Sequence, residues 1–117
     1  MKATARLRQL LSKPELVVTP GAWDGLTARL VEQAGFPAVY MTGAGTSLAR
    51  GFPDFGLLSM TEMVDNAGVM ARAVEIPLIS DADTGYGNEL NVTRAVRPRG
   101  VLAVTLSSLV RLAAARS

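Results

Sequence analysis

The sequence predicts an α/β fold: about three βα units on a parallel sheet, preceded by a helix. Three observations predict it. Short, continuous apolar runs rich in β-branched and aromatic residues occupy positions 16–19, 37–41 and 76–80. A run without polar alternation reads as a strand covered on both faces, as strands of parallel sheets are. Between these runs lie stretches with helical period, and strands alternating with helices are the signature of βαβ crossovers. The third observation is length. An eight-stranded barrel takes about 250 residues, so 117 residues suffice for an open sheet of three or four strands.

Taken in order, residues 4–11 read as a helix laid across one end of the sheet. The first strand follows at 16–19. Residues 22–34 place Leu26, Leu30 and Val31 on one helical face, and Gly35 stands where a helix calls for a glycine C-cap. Trp23 and Asp24 read as the start of that helix, with Asp24 near its positive end. After the strand at 37–41, the next helix opens on Ser59-Met60-Thr61-Glu62, a capping box. It carries Met63, Ala67, Met70, Ala71 and Val74 on one side. Met60, Met63 and Met70 read as core. The third strand is 76–80, and a further helix starts near Asn88 and runs through Val92 and Ala95. Pro98 ends it, because proline disfavours helix in the residue before it. Residues 101–116 fit either a strand followed by a helix or one apolar helix. No internal repeat or low-complexity linker is visible.

Composition narrows the chemistry. Hydrophobic residues make up 49% and charged residues 19%, the balance of a globular α/β protein. There is no cysteine and no histidine, so this chain contains no disulfide, thiolate metal site, cysteine nucleophile or imidazole proton shuttle. The first eight residues lack the apolar core and cleavage pattern of a secretory signal. No segment offers about 18 uncharged apolar residues. A cytoplasmic protein that does not enter the membrane is the expectation. The net charge of +2 divides unevenly: residues 1–88 carry −2 and residues 89–117 carry +4. The basic surplus sits in an Ala/Leu/Val/Arg tail without interleaved aromatics, which argues against nucleic acid.

Two stretches carry candidate chemistry. In Asp81-Ala82-Asp83-Thr84-Gly85-Tyr86-Gly87, period-two alternation points Asp81 and Asp83 to one side. The carboxyl ends of parallel strands are where sites are built. Two carboxylates aimed together favour a hard divalent cation, Mg²⁺ or Mn²⁺. A solvated turn in which Asp83 caps a helix fits the same spacing. In Tyr40-Met41-Thr42-Gly43-Ala44-Gly45-Thr46-Ser47, small residues leave backbone N–H groups open to an anion. Taken alone, the stretch reads rather as a glycine-rich strand-to-helix turn with no ligand. The dinucleotide fingerprint fails at Leu48, and no P-loop lysine follows. Asp54, within Gly51-Phe52-Pro53-Asp54-Phe55-Gly56, reads by itself as a turn aspartate.

Pro20-Gly21-Ala22-Trp23-Asp24, Tyr40-Met41-Thr42-Gly43-Ala44, the Gly51–Gly56 motif and the Asp81–Gly87 motif occur in an order and spacing that resembles the phosphoenolpyruvate mutase/isocitrate lyase superfamily. The similarity runs over roughly residues 4–97. It is nearest the short-chain branch: methylisocitrate lyase, dimethylmalate lyase, oxaloacetate decarboxylase-like and carboxyphosphonoenolpyruvate mutase-like enzymes. The resemblance implies a (β/α)8 TIM barrel, here partial, usually assembled as a homotetramer with a helix swapped between subunits. It implies a Mg²⁺-dependent (or Mn²⁺-dependent) site and a small carboxylic acid substrate. Carried across by position, Asp83 matches the carboxylate that contacts the metal, and Asp81 and Asp54 match carboxylates that hold it largely through water. Tyr40, Thr42, Gly43 and Ala44 match the segment that binds the carboxylate or α-keto acid end of the substrate. Lyases of the superfamily cleave a carbon–carbon bond in 2-hydroxy or 2-keto dicarboxylate-type acids.

The resemblance stops after Asn91-Val92-Thr93-Arg94-Ala95-Val96-Arg97. The Glu-Asp strand and the loop with the catalytic cysteine that the family would place next are not in this sequence. Residues 1–97 are therefore expected to be the N-terminal part of such a barrel. Residues 98–117 are expected to be a divergent tail with the composition of a frameshifted or truncated product. No catalytic residue is assigned, and the chain alone is expected to be inactive. The alternatives are a non-catalytic partial-barrel interaction protein and a small anion-binding module.

Overall fold

The computed structural model of the chain describes residues 3–82, 103–106 and 109–113. Helix α1 is Ala3–Ser12 and strand β1 is Gly21–Ala22. Helix α2 is Gly25–Gln33, β2 is Val39–Met41 and α3 is Gly43–Ala49. Helix α4 is Met60–Ala73, β3 is Leu78–Asp81, β4 is Ala103–Leu106 and β5 is Leu109–Ala113. The strands form one sheet in sequence order. β1, β2, β3 and β4 run parallel, with Tyr40 level with Gly21 and Ile79, and Ile79 level with Ala103. β5 returns antiparallel along β4. The α/β prediction and its parallel order hold.

Helices α2 and α4 sit on one face of the sheet because alternate strand residues point there. Val39, Met41 and Leu78 are buried with Met63, Ala67, Met70 and Val74 of α4 and Ala28 of α2. The opposite face carries a smaller cluster, Ile79 with Leu7 of α1 and part of Tyr40. Helix α1 thus covers one end of that face, as its sequence position suggested.

Local chemistry sets the helix starts. The Asp24 carboxylate accepts from the Thr27 N–H at 2.7 Å while the Thr27 hydroxyl accepts from the Asp24 N–H at 3.2 Å, a reciprocal cap. Ser59 and Glu62 do the same for α4, at 3.2 and 3.1 Å. Gly35 has φ 91 just past α2, a conformation that glycine adopts without steric cost. One cap is long-range: the Glu32 carboxylate accepts the N–H groups of Glu75 and Ile76 at 2.6 and 3.0 Å. It thereby fastens the end of α2 to the segment leading into β3.

Four expectations need correction. The run at 16–19 is not a strand. Leu16 is 89% exposed, and the edge strand forms at Gly21–Ala22, where the carbonyls of Pro20 and Ala22 accept from Tyr40 and Thr42. Helix α2 does not bury Leu26 and Leu30. It packs through Ala28, and Gly25 lets Val69 and Ala73 of α4 come close, so the two leucines face outward. The glycine-rich stretch after β2 is not a turn leading to a later helix, because Gly43 and Gly45 lie within helix α3 itself. In the tail, positions 103–106 and 109–113 are two strands, not a strand and a helix or one helix. The helix expected near Asn88 falls outside the described residues. Among the described residues no helix is long and apolar enough to cross a membrane.

Two expected outcomes test this scheme. Glu32→Ala strands two backbone donors and lowers stability by about 1 kcal/mol; Glu32→Gln, which keeps an acceptor, loses less, as read from denaturant midpoints. The Glu62 carboxyl is held below its ordinary range by the Ser59 N–H, then by the Ser59 hydroxyl, then by the Arg50 charge. A depressed folded pKa means the stabilisation is present above the ordinary carboxylate range and is lost as pH falls through the folded value. Glu62→Gln therefore flattens part of the acid limb in a plot of stability against pH, leaving the neutral-to-alkaline limb unchanged in shape.

Candidate substrate and metal site at the strand ends

The carboxyl ends of β2 and β3 lie side by side, because Met41 is level with Ser80. Strand alternation separates the residues there. Met41 is buried on the helix-covered face, while Tyr40 joins Ile79 and Leu7 on the other. Asp81 lies two residues beyond Ile79 on β3 and so shares Tyr40's face. Both are partly buried.

Thr42 is where strand turns into helix. Its N–H donates to Ala22 at 3.0 Å, its hydroxyl accepts from the Gly45 N–H at 2.9 Å, and its carbonyl accepts from the Thr46 N–H at 3.1 Å. The hydroxyl is thus a helix cap first, with its own proton left as the donor it can offer outward. Gly43 and Ala44 open α3, and no carbonyl of the helix itself can accept their N–H groups. Gly45 is required for the close approach: a Cβ there would collide with the Thr42 hydroxyl and stand 3.2 Å from the Trp23 Cβ.

The predicted residues divide into three sets. Tyr40, Thr42, Gly43, Ala44 and Asp81 are brought to one end of two neighbouring strands. Asp54 is exposed in the turn after α3, where the Phe55 N–H donates to Pro53 at 2.9 Å. Asp83 lies outside the described residues. Among the described residues, no three carboxylates stand together as a preformed metal cage. The donors at hand are carboxylate oxygens, the type that suits Mg²⁺ or Mn²⁺.

Sequence reasoning missed Asn66 and Thr46. Asn66 is 8% exposed in the middle of α4's apolar stripe, and Thr46 is 1% exposed on α3. The Asn66 side-chain amide donates to the Trp23 carbonyl at 3.0 Å and to the Thr46 hydroxyl at 3.3 Å. A signal was available, because Asn66 falls between Met63, Ala67 and Met70 at core spacing, where a polar side chain needs a partner.

Comparison with known proteins agrees with this fold. A sequence profile described as phosphoenolpyruvate phosphomutase matches residues 7–108. The chain is 48% identical over 114 residues to 2,3-dimethylmalate lyase of Eubacterium barkeri, covering 94% of this chain and 39% of that one. The crystal structure of phosphoenolpyruvate phosphomutase from Streptomyces platensis subsp. rosaceus superposes with a TM-score of 0.86 at 44% identity, over 90% of this chain and 38% of the other. A phosphonopyruvate hydrolase solved in complex with oxalate and Mg²⁺ superposes at 0.79 and 38% identity, over 82% and 34%. The chain thus spans little more than a third of the length of these relatives, as part of a TIM-barrel-type fold. On the profile match and the shared order of strands and helices, the chain belongs to the phosphoenolpyruvate phosphomutase family, within the phosphoenolpyruvate mutase/isocitrate lyase superfamily.

Proposed function

We propose that this chain carries the substrate- and metal-binding floor of a Mg²⁺-dependent carbon–carbon lyase acting on 2-hydroxy or 2-keto dicarboxylate-type acids. The observation that carries the reading is the convergence of Tyr40, Thr42–Ala44 and Asp81 at the ends of β2 and β3. Asp81, Asp83 and Asp54 would hold the cation, with Asp83 the direct ligand by resemblance. A cation so held supplies Lewis-acid stabilisation of the negative charge that develops on an enolate-like product.

The chain's own residues do the positioning. The N–H groups of Gly43 and Ala44 and the Thr42 hydroxyl receive one carboxylate of the substrate, and the Tyr40 ring sets the depth at which it rests. The cysteine loop that the resemblance assigns to catalysis is not in this sequence, so in this proposal the 117-residue chain by itself binds without turning over. Cytoplasmic location follows the same family reading, as does assembly into a homotetramer by any longer form.

A second reading, a non-catalytic interaction protein, is favoured by the apolar side chains left in solvent: Leu16 at 89%, Phe55 at 80% and Leu26 at 68% exposure. Such surface on a monomer invites a partner. Residues 98–117 remain, in this proposal, a divergent tail. The profile match reaches residue 108 and β4 still runs parallel to β3, so the departure that the antiparallel β5 supports begins at residue 109, because a βα barrel continues with parallel strands.

Two measurements decide between these readings. With the purified chain, oxalate is expected to raise the melting temperature only when Mg²⁺ is present, and Asp81→Asn to weaken that response on the order of tenfold, with no turnover of oxaloacetate or 2,3-dimethylmalate. A shift that phosphate reproduces without Mg²⁺ would make the chain a simple anion-binding module, and co-purification of a partner at fixed stoichiometry would favour the interaction protein. Resequencing codons 90–117 and translating the other frames is expected to recover a Glu-Asp strand and a cysteine loop. Absence of any such continuation would sink the frameshift account.

A further inference from the structure

Two buried side chains, Asn66 and Thr46, connect helix α4 to the turn that the proposed function uses. The Asn66 side-chain nitrogen carries two protons and lies near four acceptors: the Trp23 carbonyl at 3.0 Å, the Thr46 hydroxyl at 3.3 Å, and the sulfurs of Met41 and Met70 at 3.5 and 3.7 Å. Oxygen accepts far more strongly than thioether sulfur, so the two protons go to Trp23 and Thr46. A hydroxyl that accepts from Asn66 has its single proton free to donate, and the Thr46 hydroxyl donates it to the Thr42 carbonyl at 2.7 Å. The bonds therefore run in one direction, Asn66 to Thr46 to Thr42.

The Thr42 carbonyl belongs to the peptide whose nitrogen is Gly43. Fixing that oxygen fixes the plane of the Thr42–Gly43 peptide, and with it the direction of the Gly43 N–H. The Trp23 carbonyl, held by the same amide group, fixes the neighbouring β1 end, against which Gly45 packs. One side chain on α4 thus sets the relative position of two strand ends.

We propose that Asn66 and Thr46 act as positioning residues, aiming the Gly43 and Ala44 N–H groups at the carboxylate of the ligand. The proposal deepens the reading above and rests on it for the identity of that ligand.

The test uses the whole 117-residue chain, with amide NMR spectra, thermal melts and oxalate titration in Mg²⁺. Thr46→Val keeps the shape and removes the hydroxyl. It is expected to move the Gly43 and Ala44 amide resonances and to weaken oxalate binding on the order of tenfold. Thr46→Ser, which restores the hydroxyl, is expected to return both towards the starting values. Val74→Ala, in the same core but at the far end of α4, lowers the melting temperature without moving those amides. Should Thr46→Val fail to fold, Thr46→Ala serves with the same readouts. If the hydroxyl-free variant melts lower but keeps the original Gly43 and Ala44 resonances and the original oxalate affinity, the role is merely structural and the proposal is overturned. If the unsubstituted chain does not bind oxalate with Mg²⁺, the proposed function fails separately. The amide resonances of the valine and serine variants then decide the positioning role alone.

Discussion

The buried amide of Asn66 is the interaction on which the arrangement of this chain most depends. Its helix packs on the sheet through Met63, Ala67, Met70 and Val74, an apolar seam that any register of similar residues could fill. Apolar packing is non-directional. It holds α4 against β2 and β3 but leaves its rotation and axial position loosely specified. An amide buried in that seam removes the ambiguity, because displacement would leave its protons unpaired at a cost of about 1–3 kcal/mol. Only one placement lets it reach both the Trp23 carbonyl and the Thr46 hydroxyl. The polar group therefore contributes specificity where the hydrophobic groups contribute most of the free energy.

That division extends to the two faces of the sheet. Among the described residues, the helix-covered face buries nearly all of the core, and the other face carries Leu7, Ile79 and part of Tyr40. In a closed barrel the second face would be an interior lined from every strand. Among the described residues, Tyr40, Ile79 and Asp81 are the ones placed on that face by strand alternation. Tyr40 and Asp81 face that way, whereas Met41 and Ser80, their neighbours in sequence, belong to the packed side. Alternation along two short strands is what separates scaffold from site.

How far the sequence could be read follows the range of the interactions involved. The Ser59–Glu62 cap, the Asp24 helix start and the Gly35 terminus depend on residues three or four apart, and each was legible. The parallel order of the strands was legible too, because continuous apolar runs carry it. The run at 16–19 misled because its composition is that of a strand, while strand formation depends on pairing, and the pairing with Tyr40 and Thr42 falls at Pro20 and Ala22. The outward face of α2 misled for a similar reason. Hydrophobic period marks Leu26 and Leu30, but the contact with α4 is made through Gly25 and Ala28, whose small size lets the helices approach. Glu32 and Asn66 act over 44 and 43 residues, and nothing local announces such partners. Of the candidate site, the strand-end residues were legible through motif order. Their supports on α3 and α4 were not.

The same difference in range bears on how the site holds its geometry. The turn proposed to bind a carboxylate, Thr42, Gly43 and Ala44, has few side-chain atoms of its own with which to resist deformation. Glycine at the first helical position adds backbone freedom that must be restrained from outside. The restraint comes from three directions: the sheet, through the Thr42 N–H on Ala22; the helix, through the Gly45 N–H on the Thr42 hydroxyl; and α4, through Thr46. The first ties the turn to the sheet, the second acts within the turn, and the third links it to α4. Loss of that link would leave the turn formed but free to pivot, which changes the aim of its N–H groups before it changes whether the chain folds. A site built from backbone atoms is therefore governed by the residues behind it, and in this chain those are Thr46 and Asn66.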